Sequence, residues 1–217
     1  MYRQTVPPPA PTSSAKITVE GTGTVKVQPD RVNITIGVVT DGTNVTEIQA
    51  KNAATMNQVL TSIKQLGIPD SAIQTTQYQI DAQYDYSKTP PAFIGYKVTN
   101  AVNVTINEIG KTGIIIDSAV KNGANFIGSI TFTVSSPSAY YQSALTLAVQ
   151  DARQKAVTLA RASGYNKEPI IVDISEVFEQ GPRPYMVASA KYDITTPIQP
   201  GELSINAKII VKFKLPL

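Results

Sequence analysis

The sequence predicts an α+β protein whose strands pair mainly antiparallel. Three observations carry this. Many short stretches alternate apolar and polar residues at period two, the signature of a half-buried strand. Other stretches switch to spacings of three and four and end at a glycine, as amphipathic helices do. Finally, strands follow one another in pairs before helices intervene, giving the order ββαββ-αβαββ. Parallel βαβ units do not produce that order.

The first strand is expected from Ile17 to Val27. Ile17, Val19, Gly21, Gly23, Val25 and Val27 share one parity, and Thr18, Glu20, Thr22, Thr24 and Lys26 the other. Pro29-Asp30 breaks the run. Val32, Ile34, Ile36 and Val38 then alternate as the expected hairpin partner. From Asn44 to Leu66 the apolar residues Val45, Ile48, Met56, Val59, Ile63 and Leu66 form one helical stripe. Asn44 is placed to cap it, with Glu47 three residues on, and Gly67 to end it.

Ile73 to Tyr86 alternates again, with Tyr78, Ile80, Ala82, Tyr84 and Tyr86 on one face. After a turn at Ser87 to Pro91, a return strand carries Tyr96, Val98, Val102, Val104 and Ile106. A short helix is expected over roughly Glu108 to Asn122, capped by Asn107 and stopped by Gly123. Phe126, Ile130, Phe132 and Val134 form the next strand. Ser136-Pro137 opens a long helix that Gly164 closes, since proline suits the first turn. Ala144, Ala148, Ala152, Ala156 and Ala160 make a row of small residues along it, so it can lie close on its neighbour. Ile170 to Val177 is a strand, the Pro-containing stretch Gln180 to Gly201 a loop, and Leu203 to Leu215 the last strand.

The 217 residues can bury a real core. They are expected to divide into a Pro-rich flexible linker over 1–15 and a folded region over 16–217. That region would split near Ile106 into a ββαββ lobe (16–106) and an αβαββ lobe (107–217). The head, with Pro7, Pro8, Pro9 and Pro11, favours extended conformations and builds no core. It does not read as a signal peptide; the expectation is that an upstream signal or anchor preceded it, with a natural flexible N-terminus as the alternative. No apolar run is long enough to span a membrane as a helix.

Only 16% of residues are charged and the net charge is +3, with the cations scattered, so no nucleic-acid footprint is read. Lys208, Lys212 and Lys214 alternate along one solvated strand face. Histidine and cysteine are both absent, which excludes thiol nucleophiles, imidazole or thiolate metal sites and Ser-His-Asp triads. The carboxylates are dispersed, and Asp151 beside Arg153 and Lys155 reads as an ordinary solvated helix face. Gly21-Thr22-Gly23 lacks the third glycine and following helix of a dinucleotide site, so it reads as close packing within a strand. No catalytic, cofactor-binding or metal-binding residue is assigned, and no cofactor is expected. Tyr78, Tyr84, Tyr86, Phe93 and Tyr96 are the candidate interface. Cross-strand packing within the monomer, a subunit contact and a ligand-stacking platform are the readings open to them.

Four fragments together resemble one family. They are Val-Glu-Gly-Thr-Gly-Thr-Val-Lys-Val-Gln-Pro-Asp over Val19 to Asp30, Gly95 to Ile106, the Ala-rich Ala144 to Ala160, and Pro197 to Phe213. The sequence resembles the SIMPL-domain family, the domain-of-unknown-function 541 family of exported bacterial proteins. The resemblance implies a periplasmic, surface or secreted location, association with the cell envelope and with stress, and, for some members, assembly into rings or channel-like oligomers. It carries over no catalytic residue. The function expected is therefore a non-enzymatic envelope protein that forms a homo-oligomer. A small-molecule or peptide binding module with its site between two lobes is the competing reading.

Overall fold

The computed structural model describes residues 15–177 and 196–216. The Pro-rich head and most of the loop expected over Gln180 to Gly201 lie outside those residues. The elements are β1 (Lys16–Val27), β2 (Arg31–Gly42), α1 (Val45–Gln65), β3 (Ile73–Asp85), β4 (Ala92–Ile106), α2 (Thr112–Lys121), β5 (Phe126–Thr133), α3 (Pro137–Ala162), β6 (Ile170–Val177) and β7 (Leu203–Lys214). This is the expected order in an α+β fold with two antiparallel sheets.

Local chemistry places most boundaries. The Asn44 side chain accepts from the backbone N–H of Thr46 at 3.0 Å and of Glu47 at 3.3 Å, so α1 starts at the cap that the sequence marks. Gly67, Gly123 and Gly164 follow the three helices with φ of 91°, 106° and 85°, the left-handed conformation that ends a helix. One cap is corrected. Asn107 does not cap α2; its side-chain oxygen accepts from Arg31 Nε at 3.0 Å. A 3₁₀ turn over Ile109–Lys111 intervenes, and the Thr112 hydroxyl donates back to the Ile109 carbonyl at 2.7 Å. The α-helical run therefore begins only at Thr112.

The described residues fall into two compact units. The first holds residues 27–135 and 196–203 and a sheet in the order β3-β4-β2-β5, with α1 and α2. β2 lies between β4 and β5, in antiparallel register from Val32 opposite Ile106 to Gly42 opposite Tyr96. Val32, Ile34, Ile36 and Val38 meet Val102, Val104 and Ile106, with Met56, Val59 and Ile63 of α1 and Ile115 of α2 in the same buried cluster.

The second unit holds residues 15–26, 136–177 and 204–216 and a sheet in the order β1-β7-β6, with α3. The Ala144–Ala160 row is buried. It lies so close on β1 that a β-carbon on Gly21 would stand 2.8 Å from that of Ala152, and one on Gly23 would stand 2.7 Å from the Ala148 nitrogen. The two glycines are thus the packing residues that the sequence suggests. On the outward face of β7, Lys208 pairs with Glu20 at 3.1 Å and Lys212 with Asp173 at 2.9 Å.

Three expectations are overturned. β1 and β2 do not form a hairpin: β1 pairs with β7, while both edges of β2 are taken by β4 and β5. The reason lies at Asp30, whose carboxylate holds the backbone N–H and hydroxyl of Ser135 and so starts β2 alongside the end of β5. The units also do not divide near Ile106, because α2 and β5 belong with β2–β4 and β1 belongs with α3, β6 and β7. Asp151, finally, is not a merely solvated residue. With Lys155 it binds the backbone of β1.

Candidate functional site: the aromatic hairpin face

β3 and β4 run antiparallel from Ile73 opposite Val104 to Asp85 opposite Ala92. β2 stops at the level of Tyr96. Beyond that row the hairpin is two strands wide; Tyr84 and Phe93 stand on this part and Tyr86 in the turn that follows, whereas Tyr78, opposite Asn100, lies within the span that β2 pairs. Directly opposed residues share a face, so Ala82 and Tyr96 lie together, and so do Tyr84 and Phe93.

Phe93 and Tyr96 have opposite parity in the sequence. A register shift between Gln83 and Tyr84 brings them to one face by leaving Ile94 as an extra residue on β4. Gly95 adopts φ of 148° beside it, and a β-carbon there would stand 2.8 Å from the Gly42 carbonyl oxygen. The glycine is what allows the bulge.

The rings form a chain of contacts. Phe93 and Tyr96 have centroids 5.0 Å apart, Tyr84 and Phe93 5.8 Å, and Tyr84 and Tyr86 6.4 Å, the first two edge-to-face. Such geometry is favourable for aromatic pairs. Tyr78 stands outside this chain, separated along the same face by Ile80 and Ala82. Packing does not bury the group: Tyr84 is 44% exposed, Phe93 47%, Tyr78 51% and Tyr86 78%. Two further residues that reasoning from the sequence leaves out of the site, Ile80 and Ile94, are also exposed. The signal for Ile94 is Gly95 inside a strand pattern, which marks a bulge.

The turn is held by polar contacts. Asp85 accepts from the Ser87 hydroxyl at 2.6 Å and from its backbone N–H at 3.0 Å, with Lys88 Nζ at 3.8 Å. The Ser87 hydroxyl is the main reason that the Asp85 carboxyl titrates below the usual carboxylate range. The opposite face of β3 is polar, with Gln77, Gln79 and Asp81 linked in a row by side-chain hydrogen bonds. One face is therefore aromatic and the other a ladder of amides. Among the described residues no cluster of three or more acidic side chains is placed to hold a metal.

The model for SIMPL, described as a protein of unknown function (DUF541), matches residues 17–213. That span takes in every described strand and helix except their outermost residues. The chain belongs to the SIMPL family. Among relatives, the 26 kDa periplasmic immunogenic protein of Brucella melitensis biotype 1 is 30% identical over 217 residues, covering 94% of this chain and 86% of that one. The "uncharacterized protein YggE" of Escherichia coli strain K12 is 27% identical over 185 residues, covering 82% and 72%. That of Edwardsiella ictaluri is 24% identical over 155 residues, covering 71% and 65%. The SIMPL assignment thus rests on nearly the whole fold rather than on a reaction centre.

Proposed function

We propose that this SIMPL protein is an extracytoplasmic, non-catalytic protein that assembles with copies of itself through the tip of the β3–β4 hairpin. The observation that carries the reading is the exposed ring group Tyr84, Tyr86 and Phe93 on a two-stranded segment. A two-stranded ribbon is marginal in water, and a contiguous apolar patch favours being covered. Tyrosine suits such a contact because it buries area with few rotatable bonds and keeps a polar tip. The bulge at Ile94 restricts the register that a partner strand can adopt, which favours a discrete assembly over open stacking. The periplasmic name of the Brucella relative supports the location. The lack of histidine and cysteine supports a non-catalytic role.

Light scattering after size exclusion tests this on the wild type and on a Tyr84→Ser, Tyr86→Ser double variant. A large discrete species in the wild type, reduced to monomer in the variant, is expected. A wild type that stays monomeric at high concentration would overturn the proposal.

A further inference from the structure

The second unit contains a cleft of about 830 Å³ between α3 and the start of β6. This lies within the roughly 300–1,000 Å³ range of small-molecule sites. Its lining is mixed: Val157, Pro169, Ile170, Ile171 and the buried ring of Phe213 are apolar, while Gln154 and Thr158 add polar groups from α3. Its cations are Arg153 and Arg161. Among the described residues there is one other arginine, Arg31, which is engaged by Asn107. Neither Arg153 nor Arg161 has a hydrogen-bond or ion-pair partner among the described residues, whereas Lys155, on the same helix, is bound to Asp151 and to the Glu20 carbonyl. The two arginines stand eight positions apart, about 12 Å along a helix at about 1.5 Å per residue, with Val157 midway. Glu168 is the one acidic residue in the lining.

We infer that this cleft binds a single-chain aliphatic carboxylate. Two guanidinium groups at one cleft call for an anion, and a guanidinium matches a carboxylate through paired N–H donors. Between them α3 offers Val157 beside Gln154 and Thr158, and Pro169, Ile170 and Ile171 on the β6 side supply the apolar surface for a flexible hydrocarbon chain. Covering the exposed Ile170 side chain adds an apolar gain. A free amphiphile fits better than an anionic membrane surface, because the apolar residues line a concavity and Glu168 repels a densely anionic plane.

Calorimetric titration of the full chain with sodium dodecanoate, below its micelle concentration and at pH 8, tests this. Saturable binding is expected, with acetate and dodecyltrimethylammonium each binding at least about tenfold more weakly and methyl dodecanoate about fivefold. An Arg153→Gln, Arg161→Gln double variant removes whichever guanidinium the single carboxylate pairs with, so it should weaken binding by about fivefold, the upper value for one exposed ion pair. Both side chains are exposed, so the thermal midpoint of this variant should not move. Glu168→Gln should act in the other direction and tighten binding about twofold. No saturable binding of dodecanoate, equal binding of the trimethylammonium amphiphile, or an unchanged affinity in the arginine variant would overturn the inference. So would binding to phosphatidylglycerol vesicles in preference to free dodecanoate.

Discussion

The Asp151 carboxylate accepts the backbone N–H of Thr22 at 2.8 Å, so a residue of α3 closes the open edge of β1. The same oxygen takes Lys155 Nζ at 2.7 Å, and that ammonium also donates to the Glu20 carbonyl at 2.9 Å. One ion pair thus satisfies a donor and an acceptor that an edge strand would leave for another chain. Lys155 is the main cause that holds the Asp151 carboxyl below the usual carboxylate range, followed by the Thr22 N–H.

Asp151→Ala should therefore release the edge of β1. The expected cost is about 1 kcal/mol, since the group is partly exposed. Amide hydrogen exchange is the sharper measurement. Thr22 should lose protection in the variant while Ile34 in the other sheet keeps it. Unchanged exchange at Thr22 would show that the contact does not guard the edge.

Gly23→Ala should be among the most damaging small substitutions in the chain. The added carbon meets the Ala148 nitrogen at 2.7 Å and the Leu147 β-carbon at 2.9 Å, and it also collides with the Ala144 carbonyl oxygen. These are mostly backbone atoms of α3, so relief requires moving the helix. Overpacking of this kind costs about 1–3 kcal/mol. The urea midpoint of the variant checks it, with Gly110→Ala, where open space surrounds the position, as the control.

The packing role of Gly21 and Gly23 is legible in the sequence because both fall on the buried parity of a strand and the alanine row predicts a close neighbour. Strand partners are not legible in the same way. Alternation reports which face of a strand is buried, not which strand takes each edge. Proximity in the chain therefore favours β2 as the partner of β1, although the true partner β7 lies nearly two hundred residues away. The aromatic face is half legible. Tyr84 and Tyr86 follow from parity, but Phe93 joins Tyr96 only through the bulge at Ile94. The role of Asp151 is a long-range contact with a backbone N–H, which has no residue-type signature.

Asn52 offers a test of ranking rather than magnitude. It is fully buried on α1, and its side-chain nitrogen donates to the Val38 carbonyl at 2.9 Å, the Thr40 hydroxyl at 3.1 Å and the Val98 carbonyl at 3.4 Å. That amide ties α1 to β2 and β4. Asn52→Ala should cost about 1–3 kcal/mol through lost hydrogen bonds. Asn52→Asp should cost more at neutral pH despite its shape, because an anionic oxygen would face the two carbonyl oxygens. Urea midpoints measured at one pH decide the order, and Asp milder than Ala would refute the geometry.

The Asp30 clip predicts a pH dependence. Its two carboxylate oxygens accept the Ser135 N–H and hydroxyl, each at 2.7 Å, and the hydroxyl is the largest cause that lowers its titration. A carboxyl lowered in the folded state stabilises the fold above its unfolded value, about 3.9, and loses that contribution as pH falls through the folded value. Because Asp30 is exposed, the effect should stay below about 1 kcal/mol. The gap in urea midpoint between wild type and Asp30→Asn should hold steady from pH 7 to pH 5 and shrink below pH 4. Ser135→Ala removes the hydroxyl but keeps the N–H, so it should reproduce part of that gap with the same pH profile. A gap that widens in acid would mean that the clip does not depend on the charged carboxylate.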